Sequence, residues 1–341
     1  MTRVLQVMAG ADKGGAEAFF VRLVTALQRA GLDQRAAIRT NAARAAALRA
    51  AGVDTIELPF GGWFDFTTGP ALKRVLADYR PDIALTWMSR ATQRLPRSPA
   101  IHVARLGGYY DFKHYRRCDH LIANTAGIAD HLVQGGIDPA RVHVLRNFVD
   151  AVDAMPVDRA GLDTPADAKV VLAMGRLHEN KAFDVLLAAV ARIEGAWLWL
   201  AGSGPEDAAL KAQAARLGIA GRVRFLGWRD DGGALLASAD VLVCSSRHEP
   251  LGNVVLEAWA ARRPVVAAAS AGPAMLIVDG ESGLLAPVDD AVALADAIGR
   301  VLSDAGLAGR LAEAGHTAWA QGYTEDRVVA AYLDFFRRIK T

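Results

Sequence analysis

Two carboxylates, Glu249 and Glu257, stand with seven residues between them in Ser246-Arg247-His248-Glu249-Pro250-Leu251-Gly252-Asn253-Val254-Val255-Leu256-Glu257-Ala258. The apolar run Ala239-Asp240-Val241-Leu242-Val243-Cys244 leads into them and reads as a buried strand, and Val254 to Ala261 reads as a helix. Glu249 therefore falls on a strand-to-helix turn, and Glu257 about two turns into the helix. In an open α/β sheet, ligands bind outside the carboxyl ends of the strands, where this turn falls. The amides of Leu251, Gly252 and Asn253 are then the free donors of a helix N-terminus, open to an anion. Carboxylates that accept sugar hydroxyls, beside amides that hold phosphate, suit a sugar nucleotide.

Other residues carry matching chemistry. Arg176 and Lys181 follow a strand that ends at Met174-Gly175. Two cations at a strand end can neutralise a diphosphate and stabilise it as a leaving group, Arg as a fork and Lys as a point charge. Gly202-Ser203-Gly204-Pro205-Glu206 lacks the third glycine of a dinucleotide fingerprint and reads as a turn where backbone approaches a ligand. Trp228 and Arg229 follow the next strand end, and Gly14 and Gly15, beside Lys13, precede the first helix. No Asp-x-Asp occurs and the histidines are scattered, so no metal site and no cofactor are expected.

The elements that must hold these groups form an alternation. Short apolar runs at 3–8, 34–39, 54–58, 82–87, 100–105, 119–123 and 142–145 read as strands, with helices at 15–31, 41–51, 68–79 and 125–135. The pattern lapses over 151–167, rich in Asp, Pro and Ala, and restarts with strands at 169–174, 196–201, 222–226, 240–244, 264–268 and 283–285. Alternation of this kind predicts α/β architecture, two Rossmann-like doubly wound domains in tandem. The length of 341 residues fits two domains, and the 52% hydrophobic content supplies two cores. Basic and acidic residues nearly balance, 39 against 37, which argues against nucleic acid as a partner. Two distant cysteines, the lack of an 18-residue apolar run and an N-terminus too short in apolar residues for a signal peptide point to a cytoplasmic protein.

The Glu-x7-Glu segment resembles the signature of the retaining glycosyltransferases of family 4. Val170 to Leu177 with Asn180-Lys181, Leu200 to Glu206, Val223 to Gly227 and Gly10 to Glu17 extend the resemblance over nearly the whole chain. It implies the GT-B fold with a deep interdomain cleft. Residues 1–150 would be the N-terminal acceptor-binding domain and 165–320 the nucleotide-sugar-binding domain, with 321–341 a C-terminal helix packing back on the first. It also implies catalytic roles for Arg176, Lys181 and Glu249. Donor contacts would come from Gly14, Gly15, Gly175, Gly202, Gly204, Leu251, Gly252 and Asn253, with Trp228 and Arg229 near the base and Glu257 on the ribose.

The implied reaction transfers a sugar, most simply from a UDP-sugar, to a glycan or glycolipid acceptor in lipopolysaccharide or exopolysaccharide synthesis. A sugar-nucleotide epimerase or phosphorylase of the same fold, or a silent nucleotide-sugar-binding protein, are the alternatives. Two departures stand out. The family's His before Gly is absent, Leu106-Gly107 standing there, so Arg105, Asp111 and His114 become acceptor-side candidates. Met275 stands where a Glu is common. An aromatic loop (Trp63, Phe64, Phe66) and interleaved Arg90, Arg94, Arg97, Lys113, Arg116 and Arg117 suggest peripheral contact with the inner membrane surface.

Overall fold

A computed structural model describes residues 2–12, 14–61 and 65–340; Lys13, Gly62, Trp63 and Phe64 lie outside the described residues. The chain runs β1 (Arg3–Met8), α1 (Gly15–Arg29), β2 (Asp33–Arg39), α2 (Ala42–Ala50), β3 (Asp54–Leu58), α3 (Thr68–Tyr79), β4 (Ile83–Trp87), α4 (Met88–Arg94), β5 (Ile101–Leu106), β6 (His120–Ala123), α5 (Ala126–Gln134) and β7 (Val142–Val144). It continues with β8 (Lys169–Met174), α6 (Phe183–Val190), β9 (Ala196–Ala201), α7 (Asp207–Arg216), β10 (Val223–Gly227), α8 (Gly232–Ser238) and β11 (Val241–Cys244). The last part is α9 (Asn253–Ala260), β12 (Val265–Ala268), α10 (Ala271–Leu276), β13 (Leu284–Ala286), α11 (Ala291–Ser303), α12 (Ala305–Gly322) and α13 (Glu325–Lys340). Every strand read from the sequence is present, each bound within one residue. The short helix α4 was not anticipated: it starts immediately after β4 with Met88 in the left-handed region, leaving no loop to signal it.

The chain divides into two compact units, one of residues 1–148 with 325–341 and one of residues 149–324. The first has a parallel sheet ordered β3-β2-β1-β4-β5-β6-β7, the second one ordered β10-β9-β8-β11-β12-β13. Each reverses its strand order once, between β1 and β4 in the first unit and between β8 and β11 in the second. Such reversals are where open α/β sheets bind ligands.

Strands buried on both faces are continuous apolar runs, such as Val-Val-Leu-Ala in β8 and Val-Leu-Val-Cys in β11. Helices bury one stripe. In α1 this is Phe19, Phe20, Leu23, Val24 and Leu27, each fully buried large side chain stabilising by about 1.5–3 kcal/mol. The stripe of α13, Val328, Val329, Tyr332, Phe335 and Phe336, joins the same core as α1. Trp319 and Tyr323, by contrast, pack into the second unit, with Trp319 Nε1 donating to the Val149 carbonyl at 3.3 Å. Residues 151–167, read as a linker from their Pro and Asp content, lie against the second unit. Val152, Val157 and Leu162 pack on its core, and Arg159 reaches Asp240 at 3.4 Å. No helix among the described residues is long and apolar enough to cross a membrane.

Candidate active site

In the second unit, β8 and β11 are neighbours, paired through Val171 with Val241 and Leu172 with Leu242. Their carboxyl ends bring Lys181 and Glu249 together. The Lys181 ammonium donates to Glu249 Oε2. Glu249 Oε1 accepts the Gly252 amide at 3.2 Å, and Ser246 Oγ lies 3.5 Å from Oε2. Both loops are fastened by further bonds. Ser245 Oγ donates to the Lys181 carbonyl at 2.8 Å, and the His248 amide to the Asn180 carbonyl at 3.2 Å. Burial draws Lys181 toward its neutral form, but the charge and hydrogen bond of Glu249, with smaller help from Cys244 and Glu257, outweigh it and its pKa is raised. Lys181 is therefore a fixed ammonium, a quarter exposed.

Arg176 lies on the same strand-end loop, exposed and without a hydrogen bond or ion pair to any described residue. Glu257 is half-buried in α9, close enough for its charge to act on Lys181. The site thus holds one paired cation, one unpaired cation and two carboxylates at a strand-order reversal. The Gly252 amide is not the free anion donor the sequence suggested, because Glu249 already occupies it. Gly252 is left-handed, φ 88°, which turns the chain into α9.

The glycines of this region serve the loops themselves. A Cβ on Gly202 would stand 1.8 Å from the Gly175 carbonyl oxygen, and one on Gly204 2.2 Å from that of Leu177. The Gly175 amide donates to Ala201, Gly202 to Gly227, and Leu177 to Ser203, at 2.7–3.0 Å. Three neighbouring strand ends are laced together by backbone, and the absence of a Cβ at Gly202 and Gly204 lets the loops approach this closely. At Gly175 a Cβ would meet Lys181 Cε at 3.3 Å, so that glycine lets the Lys181 stem lie close.

At the end of β10, Trp228 is 50% exposed and its Nε1 donates to Asp230 at 2.8 Å. Arg229 is already engaged by Asp231, its Nε donating at 2.7 Å. The sequence offered no sign of a further clamp: Arg247 bridges Asp184 on α6 at 2.7 Å and Asp289 at 2.5 Å, pinning the Glu249 loop from outside. The adjacent serines 245 and 246 were the available signal for the inner clamp. Met275 is exposed.

In the first unit, Gly14 caps α1 in extended backbone, and its Cβ position lies 2.4 Å from the Glu17 carboxylate; Gly15 begins the helix. Glu17 accepts the Ala11 amide at 2.8 Å and is buried, and Arg44 donates to the Ala11 carbonyl at 2.6 Å. The loop after β1 is thus built around Glu17, a residue the sequence reading quoted but did not single out. Arg105 is not a loop group: it is 2% exposed, its Nε donates to Tyr332 Oη at 2.9 Å, its Nη2 to Asn147 Oδ1. Asp111 caps its own short turn, accepting the Lys113 amide at 2.9 Å and pairing with the Lys113 ammonium, and His114 is half-exposed. The three acceptor-side candidates are therefore not assembled as one polar site. His102 sits inside the sheet, 3.0 Å from Thr86 Oγ1.

Two Rossmann-ordered parallel sheets in series, one ending in a lysine–carboxylate pair beside an unpaired arginine, define the GT-B class of glycosyltransferases. Residues 168–304 match the family model described as "Glycosyl transferases group 1", and residues 13–152 that described as "Glycosyltransferase Family 4". The lipopolysaccharide core biosynthesis glycosyltransferase LpsE of Rhizobium meliloti (strain 1021) is 40% identical over 333 residues, covering 94% of this chain and 95% of its own. Among solved structures, a glycosyltransferase from Rickettsia africae ESF-5 superposes with a TM-score of 0.87 at 19% identity, covering 99% of this chain and 98% of that one. Anabaena Alr3699/HepE, solved with UDP and glucose, gives 0.85 at 20% identity, covering 99% of this chain and 100% of that one. The chain belongs to the group 1, family 4 glycosyltransferases.

Proposed function

We propose that the protein transfers a sugar from a UDP-sugar to the growing core of a lipopolysaccharide, with retention of the anomeric configuration. The observation that carries this reading is the Lys181–Glu249 pair with unpaired Arg176 at the β8/β11 reversal. The name of the Rhizobium meliloti relative supports the acceptor class, and the UDP in the Anabaena structure supports the nucleotide.

In this reading Arg176 and Lys181 receive the diphosphate. The bond from anomeric carbon to phosphate oxygen breaks, negative charge grows on the phosphate, and both cations are already in place to meet it. The acceptor hydroxyl attacks from the same face and its proton passes to the departing phosphate oxygen. Glu249 is poorly disposed as a nucleophile, since Lys181 and the Gly252 amide occupy its two oxygens. It orients Lys181 and the start of α9. Glu257 takes the ribose hydroxyls. Exposed Arg90, Arg97 and Arg116, none paired with an acid among the described residues, support contact with an anionic membrane surface on the cytoplasmic side.

The test is the product of transfer from an α-linked UDP-sugar, read from its anomeric proton by NMR. An α-glycoside is expected. A β-glycoside would remove the retaining assignment, and binding of donors without any turnover would favour a silent binding protein.

A further inference from the structure

Arg105 and Asn124 lie at the carboxyl ends of neighbouring strands β5 and β6, and each has a group left over. Arg105 is stacked between the rings of Phe19 and Trp87, its guanidinium carbon 4.6 Å from both centroids. Nε and Nη2 are spent on Tyr332 and Asn147, both neutral. Nη1 makes no hydrogen bond, and no carboxylate among the described residues pairs with the charge. Guanidinium stays protonated in a protein, and a buried cation without an acid is costly, the aromatic faces offsetting only part of that cost.

Asn124 is the second observation and is independent of the first. It is 4% exposed, yet its side-chain amide makes no hydrogen bond to any described residue, and Oδ1 is fully buried without a partner. Buried amides in native proteins are almost always satisfied. The two unspent groups converge. The point where a Cβ would stand on Gly107, itself half-exposed, is 3.9 Å from both Arg105 Nη1 and Asn124 Nδ2. Helix α5 begins two residues after Asn124, and the positive end of its dipole adds to the same field. Glu17, whose charge like that of Arg105 acts on Tyr110, is committed to the loop after β1.

We propose that the space over Gly107 is an acceptor subsite for an acidic sugar: Arg105 Nη1 and Asn124 Nδ2 grip a carboxylate or phosphate. This rests on the glycosyltransferase reading and adds the substrate class, an acceptor bearing negative charge. It also explains why Arg105 is held so rigidly by Tyr332 and the two rings, since a preorganised fork loses little freedom on binding.

The test is titration of glucuronate, glucose 6-phosphate and neutral glucose into the full-length ¹⁵N-labelled protein, following the Gly107 amide and the Asn124 side-chain amide. One or both acidic sugars should shift these signals at millimolar concentration, and glucose should not. Which acid binds tighter decides between carboxylate and phosphate. Asn124→Ala and Arg105→Lys should each weaken the effect by about tenfold or more, the scale of losing one charge-assisted or buried hydrogen bond. Asn124→Ala serves as the variant least able to disturb folding, and a cooperative melt checks both. An equal response to glucose, no response to either acid, or unchanged affinity in Asn124→Ala would overturn the proposal. UDP titrated into the same samples separates the two readings. UDP binding without acidic-sugar binding sinks this subsite alone; no UDP binding to the wild type sinks the donor assignment instead.

Discussion

The two sheets share a strand order through their reversals, yet they treat positive charge in opposite ways. At the ends of β8 and β11 the cations stay accessible: Arg176 is exposed and unpaired, and Lys181 is held by Glu249 with a quarter of its side chain open. At the end of β5 the cation is sealed, with Arg105 between two rings and bonded to the helix α13. In the proposed reading, a charge that meets a phosphate arriving and leaving is kept where water can replace it. A charge that ties a strand end to a helix is enclosed by rings and neutral partners. The same fold therefore carries an open pair of cations in one unit and, in the other, a buried cation with two of its nitrogens bonded within the core, and only substitution separates their roles.

The largest expected effect lies in the open site. Lys181→Ala and Arg176→Ala should each lower turnover by about 10²–10³, or ~2.7–4 kcal/mol, the scale for one preorganised charge stabiliser. Thermal unfolding should hardly change for Arg176→Ala, which has no protein partner to lose. Steady-state rates near wild type in both variants would dissolve the contrast between the two units.

The sealed cation should answer in stability first. Arg105→Met removes two hydrogen bonds and leaves the buried Tyr332 hydroxyl without its partner, a cost of about 1–3 kcal/mol. Urea unfolding should show a lowered midpoint, with hydrogen exchange raised along α13. Unchanged protection in α13 would mean that Arg105 does not anchor it.

A smaller effect concerns the next turn of the same helix face. His143 packs on Phe335 with ring centroids 4.7 Å apart, and its Nε2 is 3.1 Å from His120 Nδ1. Burial, then the neighbouring His120 and Arg338 charges, lowers the His143 pKa to about 4. Burial, then Arg117, does the same to His102 in the sheet. The unfolded chain takes up these protons near pH 6.5, so it binds more protons than the native state between there and about 4. The first unit should be fully stabilised above that window and lose stability as pH falls through it. A flat unfolding midpoint from pH 7 to 4 would contradict this.

How much of this was legible in the sequence differs between the units for a physical reason. Strands such as β8 and β11 announce themselves because burial on both faces demands unbroken apolar runs. The positions of Lys181 and Glu249 were legible because a strand end followed by a helix places them at the carboxyl end of the sheet whatever the side chains do. The close loop packing at Gly202 and Gly204 was not, since glycine before a ligand and glycine before another loop look alike. Arg105 reads as the end of its strand and an acceptor-side candidate because charge at a strand end usually faces water; the rings that bury it, Phe19 and Trp87, and its partner Tyr332 are remote in sequence. Residues 151–167 read as a linker from composition, whereas Val152, Val157 and Leu162, too few to make a periodic pattern, attach them to the second unit.

Titration calorimetry with UDP tests the central claim most directly, comparing the wild type with Lys181→Ala and Glu257→Gln. The account predicts that UDP binds the wild type, that each substitution weakens binding by about tenfold or more, and that Arg105→Met leaves it unchanged. UDP affinity unaltered in Lys181→Ala and Glu257→Gln would contradict the donor site at the β8/β11 reversal.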